Sequence, residues 1–325
     1  MAYENRWCRA EHFFLQATLH PLNNPAHCIV RAPHSPIAPA SFAKAGFHTI
    51  TFSSPSPSLK TISCHYSTMQ KSMLLLVGLG IGDERGISCE GLDALRNCGK
   101  VFAESYTNIL PQGTLRRLSK LIGKEIVLLG RQEVEGEKEI LECASKEPTA
   151  LIVPGDPLIA TTHVSLVLAA VKKGIPCKVI HAASILSAAI GESGLQAYKF
   201  GKMVTLAYWH KGYRPTSAYD VICENKRRGL HTLLLLDIDE KRGPMQPSYA
   251  VKLLLRMEKK RKEGVLCHGT KLVLLQGVGR QRTTKLYRSI GQIASMRPCR
   301  LPAVLVVPGQ LHFLEEEFLS LLEQQ

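Results

Sequence analysis

The chain has 325 residues, 45% of them hydrophobic and 21% charged, with ten cysteines, a formal net charge of +14 and a pI near 9.4. That balance excludes a fibre or a wholly disordered chain and fits two globular domains. No apolar run approaches the roughly 18 residues of a helical span, so a soluble protein with no membrane partner is predicted. The basic excess points to an acidic partner or an anionic cofactor, or else to a solvated surface.

Residues 1–72 differ from the rest, with six Lys/Arg, only Glu4 and Glu11 as acids, half of the histidines and a Pro/Ser-rich run without periodicity. Such a segment buries little and reads as a disordered extension, either transit-like or the product of a start upstream of the natural one. Met73, directly before the first strand, favours a mis-assigned start.

From Met73 the rhythm is strand then helix. Leu74 to Val77 is a buried strand ending in the glycine turn GLGIGD at Gly78 to Asp83, after which Ser88 caps a helix to about Asn97. A strand from Lys100 ends at Glu104, a helix runs from Thr114 to Leu121, a strand from Ile126 to Leu129 and a helix from Glu133 to Ala144. The fourth strand, Leu151 to Val153, breaks at Pro154-Gly155-Asp156-Pro157, and Thr161 is the expected N-cap of the helix that follows to Lys172. Cys177 to Ile180 is a fifth strand. Five short apolar strands alternating with helices predict an α/β domain, residues 73–181, with a five-stranded parallel sheet covered on both faces.

A second α/β domain, residues 182–325, begins with His181-Ala182-Ala183-Ser184-Ile185-Leu186 and an Ala-rich helix. Strands are expected at Met203 to Trp209, His231 to Asp239, Leu272 to Leu275 and Ala303 to Val307, and helices at Ser217 to Arg228, Ser248 to Lys262 and Glu315 to Leu322. Several of these strands lie too close together for crossover helices, which predicts a mixed sheet.

Two turns carry the chemistry. The GDP turn after the fourth strand places a glycine and a carboxylate where parallel sheets bind ligands, although a plain strand-to-helix turn explains it equally. The glycine turn after the first strand suggests a dinucleotide site, with Glu104 as the ribose-binding acid. Its third glycine comes one residue early and Asp83 follows it, so a nicotinamide oxidoreductase is a minor alternative. The cysteines form no C-x-x-C and no zinc-finger cluster, so neither a metal site nor a disulfide framework is expected, and a reducing, cytoplasmic location fits.

In combination, GLGIGD, FAESYT, VPGDPLIATTH, IPCKVIHAASI, GLQAYKFG, HTLLLLDI and PGQLHFLEEEFL resemble the diphthine synthase family of class III, tetrapyrrole-methylase-like methyltransferases, over residues 73–325. The resemblance implies a homodimeric enzyme that binds S-adenosyl-L-methionine in the cleft between its domains. It implies methylation of the 3-amino-3-carboxypropyl group on a histidine of translation elongation factor 2. Cofactor contacts would fall on Ile81, Asp156, Ile159, Ser184, Ile185 and Leu236. The family's VxxARxG is here VLLQGVG, placing Leu275 or Gln276 at a contact, and its Pro-His before the last strand is Pro-Ala, placing Ala303 at another.

Methyl transfer from a sulfonium to an amine needs mainly alignment of the reacting atoms, which supplies about 7–11 kcal/mol of the barrier. The amine must lose a proton, and His163 or His181 are candidates to accept it, each also readable as a structural histidine. Lys226, Arg227 and Arg228 form the densest basic cluster, suited to steering a protein partner or to a solvated helix end. Within the same fold, a tetrapyrrole or ribosomal RNA is the alternative substrate, but no aromatic-plus-basic stacking pattern supports nucleic-acid binding. The altered Gln276 and Ala303 keep open a third reading, a catalytically weakened binding protein.

Overall fold

The computed structural model describes residues 71–324. The extension expected at 1–72 falls almost wholly outside the described residues. Strands β1 (Met73–Gly78), β2 (Lys100–Glu104), β3 (Val127–Leu129), β4 (Pro148–Val153) and β5 (Cys177–Ile180) form one parallel sheet in the order β3-β2-β4-β1-β5. Their side chains alternate between two cores. Leu74 and Leu76 join Phe102, Leu151 and Val153 under helices α3 (Arg131–Glu135), α4 (Lys138–Ala144) and α5 (Val164–Lys172). Leu75 and Val77 join Val101, Ala103 and Ile152 under α1 (Cys89–Asn97) and α2 (Thr114–Ile122). Each such buried Leu or Val contributes about 1.5–3 kcal/mol, so the short strands are held by their two covered faces.

After α6 (Ile185–Ser193) come β6 (Val204–Leu206), α7 (Ser217–Arg227), β7 (Thr232–Leu236) and a hairpin of β8 (Ile238–Asp239) and β9 (Gly243–Pro244). Then follow α8 (Pro247–Arg261), β10 (Lys271–Gln276), β11 (Thr284–Ser289), α9 (Ile290–Ala294), β12 (Ala303–Val307) and α10 (Phe313–Glu323). The second sheet has the order β11-β10-β12-β7-β6, with β6 parallel to β7 and every other pairing antiparallel. Helices α7, α8 and α9 cover one face, packing Tyr219, Leu254 and Ile293 on Leu234, Leu274 and Leu305. Helices α6 and α10 cover the other, with Ala189 and Leu319 against Leu233, Val273 and Val306. The two α/β layers and the mixed character of the second sheet are as expected.

Several local expectations are corrected. The helix expected over Glu133 to Ala144 breaks at Gly136-Glu137, where Glu137 takes φ 60°, giving α3 and α4. The strand expected from Met203 to Trp209 shortens to β6, and the run from His231 divides into β7 and β8 at Asp237, whose carboxylate accepts the Tyr208 N–H at 2.9 Å. Thr161 is not the N-cap of α5. Its hydroxyl donates to the Pro157 carbonyl at 2.6 Å, and the helix opens later, after His163. Strand β11 and helix α9 were not anticipated, because the alternation in Thr284–Ser289 is half-polar and its burial comes from α10.

Candidate active site

The connection from β1 leads toward β2 and that from β4 toward β5, in opposite directions along the sheet, and their helices lie on opposite faces. That divergence uncovers the carboxyl ends of β1 and β4, where ligands bind in such sheets. The two turns there are cross-bonded. Gly80 N–H donates to the Gly155 carbonyl at 3.1 Å, and Gly155 N–H to the Gly80 carbonyl at 2.9 Å.

A cleft of about 460 Å³ opens over these turns and is closed from the other side by the second sheet. Ile81, Asp156, Ile159, Ser184, Ile185, Leu236 and Ala303 all line it. Leu275 also lines it and Gln276 does not: side chains alternate along β10, so only one of two adjacent residues faces the cleft. The glycine turns of the two halves interlock. A Cβ on Gly82 would stand 2.2 Å from the Gly279 carbonyl oxygen, and one on Gly279 would stand 2.8 Å from the Ile81 side chain. Gly279, two residues after the Gln276-Gly277 departure from the family pattern, therefore seats Ile81.

Asp156 does not extend a free carboxylate. It is 6% exposed, with Oδ1 accepting the Leu158 N–H at 3.0 Å, and Oδ2 accepting His181 Nδ1–H at 2.8 Å and the Ala182 N–H at 3.3 Å. The carboxylate ties the GDP turn to the segment after β5. His181 is thereby fixed at the rim without lining the cleft.

His163, 1% exposed, does not line the cleft either. Its Nδ1 lies 3.1 Å from the Pro157 carbonyl, which can only accept, so Nδ1 carries the hydrogen and Nε2 accepts the Tyr106 hydroxyl at 3.2 Å. Tyr106 does line the cleft, with the Arg131 guanidinium 4.8 Å from its ring. Burial, with help from the Glu104 and Glu135 carboxylates, pushes the phenol up to about 12, which keeps it a donor.

Glu104 is fully buried and does not line the cleft. It accepts the Tyr106 N–H at 2.8 Å, the Thr107 N–H at 3.1 Å and the Thr107 hydroxyl. Burial raises its pKa against those bonds. It braces the Tyr106 loop, and the ribose-binding role considered for it is excluded by this engagement. Asp83 likewise turns away to pair with Arg85 at 2.8 Å.

Arg280 joins the two halves, donating to the Ile109 carbonyl at 2.6 Å and the Leu301 carbonyl at 2.7 Å. Burial lowers its pKa. Sequence reasoning missed Tyr106, Arg131 and Arg280. Only FAESYT, directly after a strand tip, carried a signal for the first. In the basic run at Lys226 to Arg228, Lys226 donates to the Val265 carbonyl at 3.1 Å and Arg227 pairs with Glu263 at 2.6 Å, while Arg227 and Arg228 remain exposed.

The profile of the Tetrapyrrole (Corrin/Porphyrin) Methylases matches residues 73–272. The diphthine synthase of Methanothermobacter thermautotrophicus is 39% identical over 248 residues, covering 76% of this chain and 94% of the relative. That of Methanocella arvoryzae is 40% identical over 253 residues, covering 76% and 97%. A crystal structure of diphthine synthase superposes with a TM-score of 0.69 at 32% identity, covering 78% of this chain and 96% of its own.

Proposed function

The chain belongs to the tetrapyrrole methylase family and, within it, to the diphthine synthases; it is a methyltransferase of diphthamide biosynthesis, and we propose that S-adenosylmethionine is its donor and the amino group of the 3-amino-3-carboxypropyl-histidine of elongation factor 2 its acceptor. The observation that carries the reading is convergence: Ile81, Ile159, Ile185, Leu236 and Ala303, from five separate segments, wall one cleft. Its volume falls in the range of small-molecule and cofactor sites.

The residues fit such a donor. Gly155, at φ 79°, lines the cleft, and a Cβ built there would meet nothing within 4 Å, so a bare stretch of backbone faces open space. The isoleucines and Leu236 offer apolar walls to an adenine. Ser184 Oγ accepts the Leu186 N–H at 3.3 Å and keeps its own hydrogen to donate into the cleft. When bound, the cofactor supplies a methyl group activated by its sulfonium. The apolar walls exclude water and align the acceptor. An acceptor amine on Tyr106 passes its proton to the phenol oxygen while the phenol hydrogen moves to His163 Nε2, so that His163 acts through Tyr106 and Glu104 offsets the charge.

The resemblance also supports a cytoplasmic homodimer. Val164, Leu168 and Val171 are 56%, 54% and 62% exposed along one side of α5, an apolar surface of the kind a second copy would cover. No described helix is long and apolar enough to cross a membrane.

The decisive experiment is mass spectrometry of elongation factor 2 from cells lacking this protein, with add-back of the purified chain and S-adenosylmethionine. The expected result is an unmethylated aminocarboxypropyl-histidine that the chain converts. A fully methylated histidine in the deleted cells would overturn the substrate assignment.

A further inference from the structure

The loop after β6, the β8–β9 turn and helix α8 bring His210, Lys211, Arg214, Arg242 and Arg256 around one hollow of about 450 Å³ beside Trp209 and Tyr249. The only carboxylate paired there among the described residues is Asp239, which lies 3.6 Å from His210 and accepts the Lys241 and Arg242 backbone N–H groups at 3.0 and 2.8 Å. Lys211, Arg214 and Arg256 are exposed. None of the ion pairs or hydrogen bonds of the described residues engages their side chains.

The floor of the hollow is rigid. Tyr208 and Tyr249 pack at 5.2 Å between ring centroids, and Arg242 lies 5.3 Å over Tyr208 while donating to the Trp209 carbonyl at 3.2 Å. The Trp209 indole N–H is used on the Pro215 carbonyl at 2.9 Å. With Tyr208 and Tyr249 engaged on each other, these two rings offer little open platform for stacking of nucleic-acid bases. The charged rim instead suits carboxylates, which guanidinium groups take in bidentate fashion.

The hollow and the active cleft share no lining residue, but one short element borders both. In the β8–β9 hairpin, Ile238 lines the cleft, Asp239, Glu240, Gly243 and Pro244 line a second recess that shares Tyr106, Ile109 and Arg131 with it, and Arg242 on the same turn lines the basic hollow. A protein that inserts one modified side chain past Ile238 lies next to this hairpin. We propose that the basic hollow docks an acidic segment of the protein substrate, a site separate from the one that holds the reacting side chain. The proposal rests on the assignment of elongation factor 2 as acceptor.

The test is the full-length Lys211→Glu/Arg214→Glu/Arg256→Glu variant, whose three side chains are exposed and make no ion pair or hydrogen bond among the described residues. Methyl transfer is measured against the concentration of elongation factor 2 from cells lacking the protein, at low and high salt, beside calorimetry with S-adenosylhomocysteine. Expected are a KM for the factor raised by about tenfold or more at low salt, a gap that narrows at high salt, and unchanged kcat and S-adenosylhomocysteine affinity. An unchanged KM, with the wild type active, overturns the docking site alone, and so does RNA binding that the variant loses while its KM stays put. A wild-type chain that binds S-adenosylhomocysteine but never methylates the factor overturns the acceptor assignment and the docking site together.

Discussion

His231 and Glu315, 84 residues apart in the chain, meet at 3.1 Å with neither side chain more than 1% exposed. Gly309 N–H donates to His231 Nδ1 at 2.9 Å, so the imidazole is neutral and donates from Nε2. Glu315 also accepts Lys199 Nζ at 2.6 Å, the Gln196 N–H at 2.8 Å and the His312 N–H at 2.7 Å. Lys199 belongs to GLQAYKFG, His231 to HTLLLLDI and Glu315 to PGQLHFLEEEFL. Three of the stretches that carry the family resemblance thus converge on one buried knot, and none of the three residues lines the cleft.

The knot makes stability acid-sensitive. Burial opposes ionisation of Glu315, but Lys199 and the backbone donors more than offset it and hold the group at about 2, below its ordinary 4.5. Burial lowers His231 below its ordinary 6.5. Both groups bind protons more readily when unfolded, so each contributes stability at neutral pH that is lost on acidification, His231 as pH falls below 6.5 and Glu315 from 4.5 toward 2. Glu315→Gln should lose about 3 kcal/mol at pH 7 and show a flatter urea midpoint between pH 7 and 3. A parallel pH profile in the variant would show that the knot does not set it.

Asp156→Asn places an amide N–H₂ either against both donors that share Oδ2, His181 Nδ1–H and the Ala182 N–H, or, flipped, against the Leu158 N–H at Oδ1. Loss of that bracket should loosen the GDP turn and weaken S-adenosylhomocysteine binding by about tenfold, roughly 1–3 kcal/mol, with the circular dichroism unchanged. His181→Asn, which keeps a donor near Oδ2, should be milder. Wild-type affinity in Asp156→Asn would reduce the bracket to an ordinary turn.

Gly279→Ala should be more damaging to the cleft than Gly155→Ala, though both glycines have positive φ. The first Cβ would press on Ile81 at 2.8 Å, whereas the second meets no protein atom and would intrude only on a ligand. Both variants should lose the stability that a side chain costs at positive φ, and Gly279→Ala, which adds the clash with Ile81, should lower the melting temperature further than Gly155→Ala. Thermal melts with and without S-adenosylhomocysteine separate the two, and equal loss of stability in both variants would contradict the assignment of Gly155 to the ligand face.

Tyr106→Phe removes the hydroxyl that links the cleft to His163 and should lower kcat by about 10²-fold or more, with little change in S-adenosylhomocysteine affinity. His163→Gln should lower kcat less, and the Tyr106→Phe/His163→Gln double variant should be no slower than Tyr106→Phe alone. A purely structural His163 would instead add its own loss to that of Tyr106→Phe.

Alternation of apolar strands and helices determined the first sheet, and the crowding of strands determined that the second is mixed, because burial on one or two faces is written in local periodicity. The same patterning set Ile81, Ile159, Ile185, Leu236 and Ala303 at the ends of elements or in turns, where the resemblance gave them meaning. Only the tertiary structure decided which of Leu275 and Gln276 faces the cleft, since a strand's two sides differ by what packs on them. It also turned Asp156 from a free carboxylate into a bracket, and tied Lys226 to the Val265 carbonyl and Arg227 to Glu263. Conversely it gathered His210, Lys211, Arg214, Arg242 and Arg256 into one basic surface. Hydrogen-bond partners and charge clusters arise from residues tens of positions apart, and no local period records which of them the fold will bring together.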